Sequence, residues 1–87
     1  MNPKLQNKIN KAITKQAKFG GWSKQLVRGI KREVKKDLIL PWLNLRSNAR
    51  VNFSFPDDKT INLQIGPRDL DFERETGECI GAGTLLF

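Results

Sequence analysis

The chain lacks the residues on which several common functions depend. It has 87 residues, with no histidine, no tyrosine and a single cysteine, Cys79. Without histidine, the Cys/His sets that bind zinc and the Ser-His or Cys-His catalytic arrangements cannot be assembled. One cysteine also excludes an intramolecular disulfide. We therefore expect no cofactor and no metal, and we favour a binding protein over an enzyme.

Long hydrophobic runs are also missing. No apolar segment approaches the length of a transmembrane helix or of the apolar part of a signal peptide. This pattern predicts a cytoplasmic, intracellular protein. The length suits one small domain. We expect a single domain over residues 1–87, with a basic helical half (1–37) and a β half (38–87).

Acidic residues are almost absent from the first part of the chain. Residues 1–36 contain eleven of the 16 Lys and Arg residues and one acid, Glu33, which gives a net charge of +10. The remainder has five basic and eight acidic residues, a net −3, so that the whole chain carries +7. Such asymmetry points to a polyanionic partner, which can be RNA or DNA, an acidic protein or an anionic membrane.

The basic residues follow a helical period. Lysines recur at intervals of four, three, four and three along residues 3–18, and apolar residues fall on the other side. Asn2 and Pro3 suit the start of this helix, and Gly20-Gly21 suits its end. A second helix is predicted from the N-cap Ser23 to a point before Pro41.

The second helix carries a basic stripe of its own beside its apolar one. Trp22 and Val27 have the spacing of a hydrophobic staple at its start. Lysine and arginine bind phosphates without reading sequence, and a surface kept only for solubility would mix glutamate with lysine. We therefore predict nucleic-acid binding through both stripes. The candidate contacts are Lys4, Lys8, Lys11, Lys15, Lys18, Lys24, Arg28, Lys31, Arg32 and Lys35.

The period changes to two in the β half. Apolar and polar residues alternate over 51–55, 60–65 and 69–73, with turns at 56–59 and 74–78. Gly77 is placed for a positive φ, and residues 79–87 can return as the last strand, with Gly81 and Gly83 marking a bulge or a close approach. The prediction is an α+β fold, an N-terminal helix pair packed on a small four-stranded antiparallel β meander (ααββββ).

Four apolar features are assigned to packing. The segment 38–43 is interpreted as a buried connector anchored by Trp42, and Cys79 as a strand residue that packs. Phe19 and Trp22 flank Gly20-Gly21 and could stack on a base, but we expect Trp22 to serve as the staple and Phe19 to lie in the core.

The acidic residues of the third strand could in principle hold Mg²⁺ or Ca²⁺ through their oxygens. Asp69, Asp71 and Glu73 share one face of that strand, but no second acidic element is evident. We therefore expect a solvated strand face, with Arg68 and Arg74 at its ends.

Three alternatives to nucleic-acid binding remain. The chain could be a small effector or inhibitor that covers an acidic surface of a partner protein. In size, charge and element order it also resembles small basic ribonuclease toxins, which implies RNA cleavage by sheet cations. Membrane binding is not expected, because the apolar face of the first helix is small. The candidate sheet cations are Arg46, Arg50, Lys59, Arg68 and Arg74.

Overall fold

The chain folds into two helices followed by a four-stranded antiparallel sheet, which confirms the predicted ααββββ order. The computed structural model describes residues 3–40 and 44–85. Asn2 and Trp42, named above as a cap and an anchor, lie outside these residues. The elements are α1 (Pro3–Gly20), α2 (Lys24–Leu38), β1 (Val51–Asp57), β2 (Thr60–Ile65), β3 (Arg68–Glu73) and β4 (Cys79–Thr84).

The helices begin and end where the sequence indicates. The Ser23 hydroxyl accepts a hydrogen bond from the Leu26 backbone N–H at 3.1 Å, which caps the start of α2. Gly21 adopts a φ of +62° after the last residue of α1. That conformation, which favours glycine, turns the chain sharply so that α2 can return beside α1.

The sheet is a meander in the order β1-β2-β3-β4. Ile61 lies opposite Phe72, and Leu63 opposite Leu70, so that β2 and β3 present their apolar side chains on the same face. Irregularities in register occur in β1 after Ser54 and in the β3–β4 pair after Asp71.

The helices cover the apolar face of the sheet and form one core with it. Because α1 and α2 each bury one apolar stripe in this core, their charged stripes face outward. The core side chains are at most 9% exposed and comprise Leu5, Ile9, Ile13, Leu26, Ile30, Val34, Leu38, Ile61, Leu63, Ile65, Leu70 and Phe72.

Two glycines set how closely α2 approaches the sheet. A Cβ on Gly29, in the middle of α2, would lie 2.7 Å from the Thr76 carbonyl oxygen in the turn between β3 and β4. A Cβ on Gly77 would lie 2.8 Å from the Leu26 carbonyl oxygen, and Gly77 has the predicted positive φ, +76°. The helix and the turn therefore meet backbone to backbone.

A buried ion pair joins the end of α2 to the sheet. The Arg68 guanidinium donates to both carboxylate oxygens of Asp37, from Nε at 2.9 Å and from Nη2 at 2.6 Å, and from Nη1 to the Thr84 hydroxyl at 3.1 Å. The prediction that Arg68 sits on the solvated strand face is wrong. Arg68 has the same strand parity as Leu70 and therefore points into the core side, where it is 7% exposed.

Three apolar residues are more exposed than their patterns suggest. Phe19, expected in the core, is 81% exposed. Ile39, in the segment interpreted as a buried connector, is 62% exposed, while Leu38 beside it is buried. Phe55 is 49% exposed near the end of β1, although it continues the alternation of that strand. Cys79 packs against the core as expected.

Candidate nucleic-acid interface

The five lysines of α1 form one exposed row. Their spacing of three and four residues returns each to the same side of the helix. Since Leu5, Ile9 and Ile13 are buried, the row faces away from the core. The lysines of the row, all of them exposed, are Lys4, Lys8, Lys11, Lys15 and Lys18.

An open groove between the helices brings the second basic stripe next to this row. Lys18 of α1 lines it together with Lys24, Arg28 and Lys31 of α2, around a volume of about 510 Å³. The Lys31 ammonium donates to the Thr14 hydroxyl of α1 at 3.4 Å, so a side chain of the second stripe reaches the first helix. We call this the basic groove. Its other lining residues are Thr14, Ala17, Trp22 and Val27.

A shallow depression on α1 extends the basic groove. It has a volume of about 360 Å³ and shares Thr14 and Lys18 with the groove. It adds Lys11 and Lys15, so the two stripes are contiguous in space. We call the resulting set of cations the basic surface. Its members are Lys11, Lys15, Lys18, Lys24, Arg28 and Lys31.

The other four candidate residues do not line this surface. Lys4 and Lys8 lie in the first turns of α1, and the Lys8 ammonium donates to the Ala49 carbonyl at 2.8 Å. Arg32 lies 3.7 Å from the Glu33 carboxylate, whose other neighbour is Lys36 at 3.9 Å. Lys35 is exposed in the last turn of α2.

The basic surface carries positive charge without compensation. Within residues 3–40 and 44–85, its six cations form no ion pair, and no carboxylate lines the basic groove or the depression beside it. Five of the six are exposed and Lys31 is partly buried, and without a carboxylate partner they remain available to an incoming anion. Clustered like charges also raise the local concentration of a polyanion near the surface.

Asp69 and Asp71 lie on the opposite side of the molecule. On the outer face of the sheet, the Asn62 amide donates to Asp69 Oδ1 at 2.7 Å and to Asp71 Oδ1 at 2.9 Å, and it accepts from the Ser54 hydroxyl at 3.1 Å. Across the described part of the chain, no cluster of three or more metal-ligand side chains is close enough together to hold an ion.

Two of the residues considered for catalysis, Arg68 and Cys79, are engaged within the protein. Arg68, one of the five sheet cations considered for RNA cleavage, is buried and forms an ion pair with Asp37. Burial raises the pKa of the Cys79 thiol, and its Sγ donates to the Gly81 carbonyl at 3.3 Å. A raised pKa lowers the thiolate fraction at neutral pH, which makes this thiol a weak nucleophile.

A cluster of aromatic residues next to the basic groove was not predicted. Phe19 lies four residues after Lys15 and is therefore on the lysine side of α1, a signal that the helical period contained. Trp22 lines the basic groove and also a recess of about 260 Å³ beside it. We call this the aromatic recess. Its lining residues are Gln16, Phe19, Gly20, Trp22, Phe55 and Arg74.

Comparison with known proteins adds no assignment. No protein-family model, no curated protein and no solved structure matches the chain. Within the residues that the structure describes, neither helix has the length and apolar character needed to cross a membrane. Any functional interpretation therefore rests on the side chains of this chain.

Proposed function

We propose that this protein binds nucleic acid through the basic surface, by contacts to phosphates. The observation that carries the proposal is the contiguity of six cations without ion pairs, drawn from two helices, around one open groove and the depression beside it. Contacts of this kind supply affinity without base recognition. The protein would therefore bind many sequences with similar strength.

The arrangement of charge favours this function over a surface kept for solubility. Lysines three and four residues apart on α1 repel one another, which destabilises the helix by about 0.2–0.5 kcal/mol per pair. A surface evolved for solubility alone relieves such repulsion by interspersing acids. In this molecule the acids of the β half lie elsewhere, on the sheet and its turns.

Salt dependence gives a direct test. Binding of a fluorescent oligonucleotide to the full chain should be measured by anisotropy between 25 and 200 mM salt. If all six cations contact phosphates, log K should fall with log salt with a slope of about −4 for a single strand and about −5 for a duplex. No binding to either oligonucleotide at the lowest salt would overturn the proposal.

A matched pair of double variants locates the contacts. Lys18→Gln with Lys31→Gln removes two charges from the basic groove and should flatten the slope by about 1.5 units. Lys36→Gln with Arg46→Gln removes the same charge from outside the groove and should leave the slope within error. Equal effects of the two double variants would show that net charge, and not the groove, determines binding.

A second candidate is binding to an acidic surface of a partner protein. Ile39 favours it, because this exposed apolar side chain directly follows the basic last turn of α2, which contains Lys35 and Lys36. Protein interfaces commonly surround an apolar centre with a polar, solvent-accessible rim. Capture of one acidic protein that survives nuclease treatment and is lost with Ile39→Ala would support it, provided that oligonucleotides do not bind.

A further inference from the structure

The aromatic recess adjoins the basic groove through a shared residue. Trp22 contributes to both, so the two sites meet at this residue. At the recess, Phe19 exposes 81% and Phe55 49% of its surface. Single exposed apolar residues are normal on proteins, but here three aromatic residues line one recess beside six cations.

The ring of Trp22 is held in place by its neighbours. It meets Phe53 edge-on with ring centroids 5.8 Å apart, and Phe55 with centroids 6.5 Å apart. Gly20 allows this position, because a Cβ there would lie 2.5 Å from Trp22 Nε1. The recess is thus largely preformed, which limits the entropy lost when a ligand binds.

Phe19 contributes little to the fold. With four fifths of its surface exposed, it gains almost none of the stabilisation that burial gives a phenylalanine. Its position on the lysine side of α1 leaves its ring available to a ligand that also touches the lysine row. Such an exposed ring beside cations is the combination found where unpaired bases stack on protein.

Building on the proposed function, we propose that the preferred ligand is single-stranded nucleic acid, with one unpaired base stacked in the aromatic recess and the adjacent phosphates on the basic groove. The recess volume of about 260 Å³ suits one planar ring system. Sites for drug-sized ligands are larger, roughly 300–1,000 Å³. A duplex would use only the cations, because its bases remain paired and stacked inside the helix.

The polar residues of the recess fit the same ligand. Arg74 can stack on a base through its guanidinium plane or contact a phosphate, and the Gln16 amide can both donate to and accept from a base edge. Arg74 has no ion-pair partner in residues 3–40 and 44–85. A base in the recess therefore meets stacking and hydrogen-bonding groups together.

An anionic membrane fits these observations less well. An interfacial helix inserts a broad apolar face into the bilayer. The apolar residues of α1 that could form such a face, Leu5, Ile9 and Ile13, are at most 1% exposed and are packed in the protein core. Of the aromatic recess, the exposed rings of Phe19 and Phe55 would be left to insert, which is a small apolar area.

Replacement of Phe19 separates this inference from the proposed function. Binding of a 12-nucleotide single strand and of the duplex of the same sequence to the full chain should be compared at low salt. Phe19→Ala should weaken single-strand binding about 5- to 150-fold, given roughly 1–3 kcal/mol per stacked base. It should change duplex affinity less than twofold and leave both salt slopes intact. Phe19→Trp should restore single-strand binding, because it keeps a stacking ring.

The controls distinguish the possible outcomes. Ile80→Ala removes an exposed apolar side chain of β4, outside the recess, and should leave both affinities unchanged. Unchanged single-strand affinity in Phe19→Ala, with binding still weakened by Lys18→Gln and Lys31→Gln, would overturn the stacking inference and leave the proposed function standing. Failure of the wild-type protein to bind either oligonucleotide would overturn both. Binding to vesicles of anionic lipid that requires Phe19, without oligonucleotide binding, would assign the recess to a membrane.

Discussion

The outward-facing surfaces of the helix layer and of the sheet differ in whether their charged side chains have partners within the protein. On the helices, six cations line the basic groove and the depression beside it, with no acid among the lining residues. On the sheet, Asp69 and Asp71 share hydrogen bonds from the neutral amide of Asn62. The helical charges are left open to a ligand, whereas the sheet carboxylates have partners within the protein.

The separation of positive and negative surfaces also gives the molecule an electric dipole. A polyanion is attracted to the helical surface and repelled by the acidic sheet surface, so the two surfaces together orient the encounter. The net charge of +7 conceals this separation, because it sums surfaces of opposite sign. Orientation of this kind requires that the helix layer stay fixed on the sheet.

Loss of the buried ion pair should have the largest effect on this attachment. Asp37→Ala leaves the Arg68 guanidinium buried without its carboxylate, and removing one partner of a buried pair commonly costs about 3–5 kcal/mol. That approaches the whole stability of a small domain, roughly 5–15 kcal/mol. Urea denaturation followed by circular dichroism should show the loss.

The neighbouring acid of the same helix provides the control for that experiment. Glu33→Ala removes a surface carboxylate whose ion pairs are 3.7 and 3.9 Å long, and it should change the free energy of unfolding by less than about 1 kcal/mol. Equal losses for the two variants would contradict the interpretation of Asp37 and Arg68 as the anchor between layers.

The close contact of α2 with the turn between β3 and β4 predicts that replacing Gly29 with alanine destabilises the protein, although the same exchange usually stabilises a helix. At an exposed position inside a helix, Gly→Ala stabilises by up to about 1 kcal/mol. At Gly29 the added methyl group would press on the Thr76 carbonyl, and overpacking of this kind costs about 1–3 kcal/mol. Gly29→Ala should therefore lower the free energy of unfolding by about 1–2 kcal/mol.

A second glycine on the sheet serves as the comparison for Gly29. A Cβ on Gly83 would meet no atom within 4 Å, so Gly83→Ala should stay within about 0.5 kcal/mol of the wild type. Stabilisation by Gly29→Ala in urea denaturation would show that α2 does not approach the turn this closely.

Local periodicity predicted the architecture and the six cations of the basic surface. The change of period from helical to two marked the boundary between layers, and Ser23 and Gly20-Gly21 marked the helix ends. These signals work because a helix or strand with one apolar face has only one way to bury it. Contiguity of the two lysine stripes could not be predicted, since it depends on the rotation of one helix against the other.

The buried ion pair was missed although both residues carried a signal. Arg68 shares the inward parity of Leu70 and Phe72, and Asp37 falls at the helical angle of Ile30, seven residues earlier. A charged residue is usually expected to be exposed, even at a position of the apolar pattern. Its oppositely charged partner lies on a distant element and becomes known only from the packing of helix on sheet. The aromatic recess was missed for the same reason, because it joins α1, the interhelical loop and β1.

Neutralisation of the sheet acids should have the smallest effect, and it tests the separation of the two surfaces. Asp69→Asn with Asp71→Asn changes the net charge by two, as Lys18→Gln with Lys31→Gln does, but on the opposite side of the molecule. The exchange retains acceptors for the Asn62 amide, so the fold should be kept. If phosphates contact only the helical surface, as proposed, the salt slope of oligonucleotide binding should not change, and affinity should rise only slightly through weaker long-range repulsion. A slope that changes as much as in the lysine double variant would mean that nucleic acid contacts the sheet as well, and the contrast between the two surfaces would then have no role in binding.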